Sequence, residues 1–198
     1  MQRKRTRLTP EARADQLLNC AAIMICRNGL ATFTIEGLAT EASVSVPLIY
    51  NYFSSRLALL QDLLRREYRR FGQRTEKAVA NAVTFRDVVR VSVRSNFEHN
   101  APKTVLPILI TQPEIVSAIQ GELKQNGRNA AGFLIERTAE HYQLDRDRAR
   151  LIVQLCRGAA WAAAEWSGKQ KEDQDQMIEM TVNYIIAGIE QLTSKQLR

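Results

Sequence analysis

The sequence predicts an all-α protein. Apolar residues recur at three- and four-residue spacing to the end of the chain, alternating β-branched runs bounded by turn residues are missing, and 198 residues hold only 9 Gly and 5 Pro. With 45% apolar and 25% charged residues the composition is that of a helix-rich globular protein, long enough to bury a core without disulfide staples.

Helix punctuation then runs along the chain. In "LTPEARADQLLNCAAIMICRNGL", Thr9 is an N-cap, Pro10 takes the first helical position, Glu11 faces the positive end of the dipole and Gly29 follows the last turn. Leu17, Leu18, Ala21, Met24 and Ile25 form its apolar face. Thr34 caps a helix of about two turns, with Ile35, Leu38 and Ala39 inward. After a turn around Ser43, Ser45 caps a short helix through Asn51, in which Pro47 loses nothing because first-turn amides have no intrahelical acceptor. Ser54 or Ser55 caps a fourth helix with Leu59, Leu60, Leu63 and Leu64 inward and Arg65, Arg66, Arg69, Arg70 and Arg74 mostly opposite. Thr84 starts a helix to about Asn100 and Pro102 a short one. Pro113 precedes a longer helix with a break near Asn126-Gly127. Asp145 caps the helix containing "GAAWAAAEW", which ends at Gly168, and "DQDQMIEMTVNYIIAGIEQLT" is the last.

Two short helices joined by a tight turn, with a longer helix before and another after, make a helix-turn-helix module whose third helix is shaped to enter a major groove. Charge agrees with a polyanionic partner: residues 1–74 carry 12 Lys+Arg against 6 Asp+Glu, whereas the remainder carries 16 against 15. Nucleic acid and an anionic membrane surface both satisfy that imbalance. No window reaches the roughly 18 uncharged apolar residues of a membrane span, and no secretory signal is present, so a cytoplasmic protein is expected. Cys20, Cys26 and Cys156 lie in helical patterns without CxxC spacing and read as reduced, packed thiols. His99 and His141 have no carboxylate or Cys at ligand spacing, and no nucleophile elbow, P-loop, GxGxxG or HExxH occurs. Neither a metal, a cofactor nor catalysis is expected.

From Leu17 to Leu60 the chain resembles the DNA-binding domain of the TetR family of transcriptional regulators, through "LLNCAAIMI", Gly29, "FTIEGLATEASVS", "IYNYF" and "SSRLALL" in unbroken register. Gly29, Thr34, Ala39, Val44, Ser45, Tyr50, Tyr52 and Phe53 keep the family's spacing. Two positions depart from it: Ser43 stands where the turn usually has Gly, and Val46-Pro47 where a charged residue and Gly often open the recognition helix. The resemblance implies an N-terminal arm and three-helix DNA-binding domain over residues 1–55, and a helical ligand-binding and dimerisation domain over 56–198. It also implies a dimeric regulator, most often a repressor released from a palindromic operator by a small molecule.

Roles carried over with the resemblance give phosphate contacts to Thr34, Tyr50, Tyr52 and Arg56. Arg3, Lys4, Arg5 and Arg7 are either a basic arm on the DNA backbone or minor groove, or a solvated tail. Base reading falls to Ser45, Val46, Pro47, Leu48 and Asn51; the apolar members suit thymine methyl groups, and Asn51 either reads adenine or meets a phosphate or water. Ile49 and Phe53, four apart, are core. Small residues at Gly158, Ala159, Ala162, Ala163, Ala187 and Gly188 let helices approach closely, across a two-fold dimer bundle or within one chain. Phe97, Phe133, Tyr142 and Trp161 are candidate pocket walls and equally good core residues, so the ligand site itself stays unassigned. Two other classes fit less of the sequence: a membrane-associated helical protein using the basic N-terminal third, and a small helical enzyme or carrier.

Overall fold

The structure, a computed structural model, describes residues 8–99, 104–117, 119–169 and 173–194. Among them every regular element is helical: α1 (Pro10–Asn28), a short 3-10 turn (Leu30–Thr32), α2 (Ile35–Glu41), α3 (Val46–Tyr50), α4 (Arg56–Ala80), α5 (Phe85–His99), α6 (Leu106–Ile110), α7 (Pro113–Ser117), α8 (Gln120–Tyr142), α9 (Arg146–Lys169) and α10 (Gln174–Ser194). No helix of the described residues is long and apolar enough to cross a membrane.

Helix starts follow their capping residues. The amides of Ala12, Gly37, Ala58 and Arg148 donate to the side chains of Thr9, Thr34, Ser55 and Asp145 at 2.9–3.2 Å, each satisfying a first-turn donor that has no intrahelical partner. Thr84 and Asp87 exchange hydrogen bonds in a capping box at α5, and these hold the Asp87 carboxyl below its ordinary pKa. The reading of the 113–142 segment needs correction. The interruption falls between α7 and α8, where the Ile119 amide bonds the Val116 carbonyl, while α8 runs unbroken through Gly127. A helical Gly costs only about 1 kcal/mol against Ala, which helix packing readily overrides. The helix expected to start at Pro102 begins instead at Leu106, with Pro107 in its first turn; residues 100–103 lie outside the described set.

Contacts divide the chain into two compact units. The first holds the described residues up to Glu67 together with 104–119. Its core joins Leu17, Ile25, Leu38, Ile49, Leu59 and Leu63, none exposed, and α7 is tied in by the Gln61 amide donating to the Glu114 carbonyl at 3.2 Å.

The second unit holds α5, α8, α9 and α10 with the second half of α4. Val93, Phe97, Ile152, Ile178, Val182 and Ile185 are its centre. Arg90 forks onto Glu179, Nε to Oε1 at 2.6 Å and Nη2 to Oε2 at 3.1 Å, and Arg94 reaches Asp175 at 2.9 Å, so α5 and α10 are joined by charge as well as by packing. Donation from Arg90 holds the Glu179 carboxyl below its ordinary 4.5. A depressed carboxyl pKa contributes stability that is fully present above the ordinary value and is lost as pH falls through the lowered one. Urea midpoints taken from pH 6 to pH 3 are therefore expected to fall below about pH 4.5, and Glu179→Gln is expected to flatten that decline; an unchanged acid limb in the variant contradicts the assignment.

Candidate nucleic-acid interface

Ile49, fully buried, and Phe53, 4% exposed, anchor the short α3 to the first unit, leaving its opposite edge to solvent. Ser45, Pro47, Tyr50 and Asn51 are exposed there, and Val46 and Leu48 are half-buried beside them. Ser45 accepts from the Leu48 amide at a long 3.4 Å, and Pro47 sits in the first turn as expected. Tyr50 is 48% exposed while Tyr52 is half-buried with its ring tilted against Phe53, so the two tyrosines face different ways. Neither phenol, nor the Asn51 amide side chain, hydrogen-bonds another described residue. The edge is thus polar and apolar in alternation, uncharged, and free to meet base edges.

The turn before it holds Ser43 at φ 53, left-handed backbone where a non-Gly residue costs about 1 kcal/mol. The turn survives because the Val44 amide closes onto the Ala39 carbonyl at 2.9 Å and the Ser43 amide onto the Thr40 carbonyl at 3.1 Å. At the start of α2 the exposed Thr34 uses its hydroxyl oxygen to accept from Gly37, so its proton is not spent on the cap. Gly37 permits this approach: a Cβ there would stand 3.1 Å from the Thr34 hydroxyl and 3.2 Å from the Met24 methyl.

Two arginines are placed by contacts that their local sequence does not foretell. Arg56 donates through Nε to the Phe33 carbonyl at 2.9 Å and through Nη2 to the Leu30 carbonyl at 3.1 Å, with its guanidinium 5.7 Å above the Phe33 ring. Its charge clamps the chain entering α2 to the start of α4. Arg66, grouped by periodicity with the outward arginines of α4, turns back to Asp15 at 2.9 Å on α1 and to Glu67 at 2.7 Å, its side chain only 13% exposed. Arg66→Met removes the contacts to Asp15 and Glu67 and is expected to lower stability by about 1 kcal/mol, since the Asp15 side chain is half in water, read as a lower urea midpoint for the first unit. A shift under about 0.5 kcal/mol makes the pair a solvated surface contact. Arg3, Lys4, Arg5 and Arg7 lie outside the described residues.

In the second unit, α9 presents Leu151, Leu155, Gly158, Ala162 and Trp166 as one exposed stripe, and α10 presents Met180, Tyr184, Ala187, Gly188 and Leu192. Leu155 is 58% and Tyr184 71% exposed, large apolar areas for two adjacent helices to leave in water. Ala159 and Ala163, of the six small residues singled out from sequence, instead pack on the unit's own core. The large residues of the stripes were hidden in the sequence, because apolar side chains at helical spacing read as core.

That unit also holds a small, partly open cavity of about 50 Å³ among α5, α8, α9 and α10. Of the four aromatic candidates none lines it: Phe97 is buried in the core, Tyr142 packs edge-on against Phe85, and Phe133 and Trp161 are 42% and 49% exposed. The walls are mostly aliphatic, with Ser92, Asn96, Thr138 and Cys156 as polar side chains, Phe85 as the aromatic one and Arg157 as the charged one. Burial pushes the Cys156 thiol there up to about 11, so it stays neutral. His141 stacks on Phe85 at 4.7 Å, and among the described residues no group of His, Cys, Asp and Glu could hold a metal ion.

Residues 17–63 match the family described as bacterial regulatory proteins, tetR family. The chain is 26% identical over 195 residues to the HTH-type transcriptional activator FasR of Mycolicibacterium smegmatis, covering 94% of this chain and 87% of that protein. In fold it is similar to a transcriptional regulator from Pseudomonas aeruginosa PAO1, with a TM-score of 0.73 at 18% identity over 98% of this chain and 97% of the other. It is also similar to the regulator FadR of Bacillus subtilis, solved in complex with stearoyl-CoA, with a TM-score of 0.70 at 20% identity over 88% and 98%.

Proposed function

We propose that this chain, a TetR-family transcriptional regulator, works in the cytoplasm as a homodimeric repressor that binds a palindromic operator and is released from it by a small-molecule effector. The observation that carries the DNA-binding part is the α3 edge: Ile49 and Phe53 fix the helix from behind while Ser45, Pro47, Tyr50 and Asn51 are left exposed. On this reading Ser45 to Leu48 and Asn51 face the bases, and Thr34, Tyr50 and Tyr52 donate hydroxyl protons to phosphates. Arg56 positions the module through the Phe33 and Leu30 carbonyls, and the remaining N–H donors of its exposed side chain are available to a phosphate.

A palindrome needs two recognition helices, and the stripes on α9 and α10 support an isologous dimer in which each buries its counterpart. The small cavity of the second unit, and a structural relative solved in complex with stearoyl-CoA, support a small-molecule effector. Induction then requires only that the ligand prefer the dimer geometry that fits DNA less well. Continuous α4 offers a route, since its first half belongs to the DNA-binding unit and its second half to the effector unit.

Selection of bound duplexes from genomic fragments tests the proposal. Enrichment of inverted repeats with thymines in each half-site is expected, followed by reduced transcription from promoters that carry them. Failure to enrich any sequence refutes operator binding, and raised transcription makes the protein an activator.

A further inference from the structure

We propose that the DNA-binding unit carries a small-molecule site of its own, for a compact zwitterion with an apolar side chain, in the recess between the 3-10 turn, the start of α4 and α7. This open recess of about 410 Å³ is lined only by residues of the first unit and falls within the roughly 300–1,000 Å³ of small-molecule sites. Leu60 and Ile115, each 1% exposed, make its floor, and Leu57, 39% exposed, offers a ligand apolar surface at the rim. Its two charged residues are Arg56 and Glu114. The Gln61 amide donates to the Glu114 backbone carbonyl at 3.2 Å, which holds α7 against α4 and keeps Glu114 at the recess.

The chain itself neutralises neither charge. Arg56 spends Nε and one Nη2 hydrogen on the Phe33 and Leu30 carbonyls, which leaves its Nη1 donors, and no Asp or Glu lies within four positions of it. The Glu114 carboxylate makes no hydrogen bond or ion pair with any described residue, and no Lys or Arg lies within four positions of it. An anion alone would meet Arg56 favourably and Glu114 unfavourably, and a cation alone the reverse, so a singly charged ligand loses at one what it gains at the other. A zwitterion satisfies both, its carboxylate on the guanidinium and its ammonium on Glu114, with its side chain over Leu57. The class this selects is an α-amino acid with an apolar side chain. Both protein groups are exposed, so affinity is modest, with a dissociation constant expected below about 1 mM. Through Arg56 the site is linked to DNA, a step that rests on the phosphate contact proposed for that residue above. Donors taken by a ligand carboxylate are withdrawn from the phosphate, so ligand and duplex weaken each other by the same factor.

Calorimetry on the full-length protein tests the site with L-phenylalanine, L-leucine, hydrocinnamate, which is phenylalanine without its ammonium, and phenethylamine, which lacks its carboxylate. One or both amino acids are expected to bind at least about tenfold more tightly than either singly charged analogue, the gain of one added charge-assisted hydrogen bond. Glu114→Gln is expected to erase the advantage over hydrocinnamate and to keep the advantage over phenethylamine. Ala31→Phe, which fills the recess from the exposed 3-10 turn, is expected to abolish binding, with Leu57→Trp as a second filling variant should the first not fold. No binding of either amino acid below about 1 mM, equal affinity for the amino acids and both analogues, indifference to Glu114→Gln, or binding that survives a folded filling variant overturns the site. These titrations contain no DNA, so their outcome is separate from that of operator binding. Duplex affinity measured with and without saturating amino acid tests the link to DNA: a fall of about threefold or more is expected, and an unchanged affinity overturns competition at Arg56.

Discussion

Tyr184→Arg combined with Leu155→Arg is expected to turn the protein monomeric at micromolar concentration and to weaken operator binding by about 100-fold or more. Both side chains lie mostly in water in the single chain, so the substitutions cost its own core little. Across a two-fold interface each charge occurs twice, and each would be buried without a partner at several kcal/mol per ion. The loss of DNA affinity follows from losing the second recognition helix, because linked half-sites bind about 10²–10⁴ more tightly than either alone. Sedimentation of the purified variant, with its thermal melting as a control for folding, checks the first step, and duplex titration the second. A variant that melts normally and stays dimeric places the interface elsewhere than on α9 and α10.

The second large effect belongs to α3. Asn51→Ala is expected to cost about 1–3 kcal/mol and to relax preference at one base pair of each half-site if the amide reads adenine. A uniform loss over all sequences assigns Asn51 to a phosphate or water. Tyr50→Phe removes one hydroxyl proton from a proposed phosphate contact, so affinity should fall by about 0.5–1.5 kcal/mol for every duplex alike. Thymine reading by Val46 to Leu48 has its own test: replacing thymine by deoxyuridine deletes only the methyl group, for a loss of about 0.8 kcal/mol at each contacted position. Half-sites indifferent to that deletion contradict apolar readout.

Much of the fold was legible because its signals are local. Thr9, Thr34, Ser45, Ser55 and Asp145 each meet an amide three residues on, and that spacing is visible in the sequence before any tertiary contact forms. The apolar face of α1 was legible for the same reason: Leu17, Leu18, Ala21, Met24 and Ile25 are its buried residues. What escaped was the choice of distant partners. Arg66 follows the period of an outward residue, yet Asp15, fifty-one positions earlier, draws it inward. Arg56 reads from the resemblance as a phosphate contact, and its bonds to the Leu30 and Phe33 carbonyls come from residues more than twenty positions away. Leu151, Leu155, Met180 and Tyr184 have core spacing, and only the filled interior of the second unit leaves them outside. The break before α8 was misplaced because Gly127 was weighed by propensity alone. At the candidate site the position of each side chain on α2 and α3 could be read from spacing, which already sets Tyr50 and Tyr52, two apart, on different faces; which of the two is half-buried needed the fold.

The central claim is that a pair of these chains reads DNA through two α3 helices. It is tested most directly by measuring the mass and affinity of the protein on a selected palindrome and on a duplex carrying one of its half-sites. Two protomers on the palindrome are expected, with half-sites a whole number of helical turns apart, about 10–10.5 base pairs each, and binding about 100-fold weaker to the single half-site. One protomer per duplex, bound equally well to both, would contradict it.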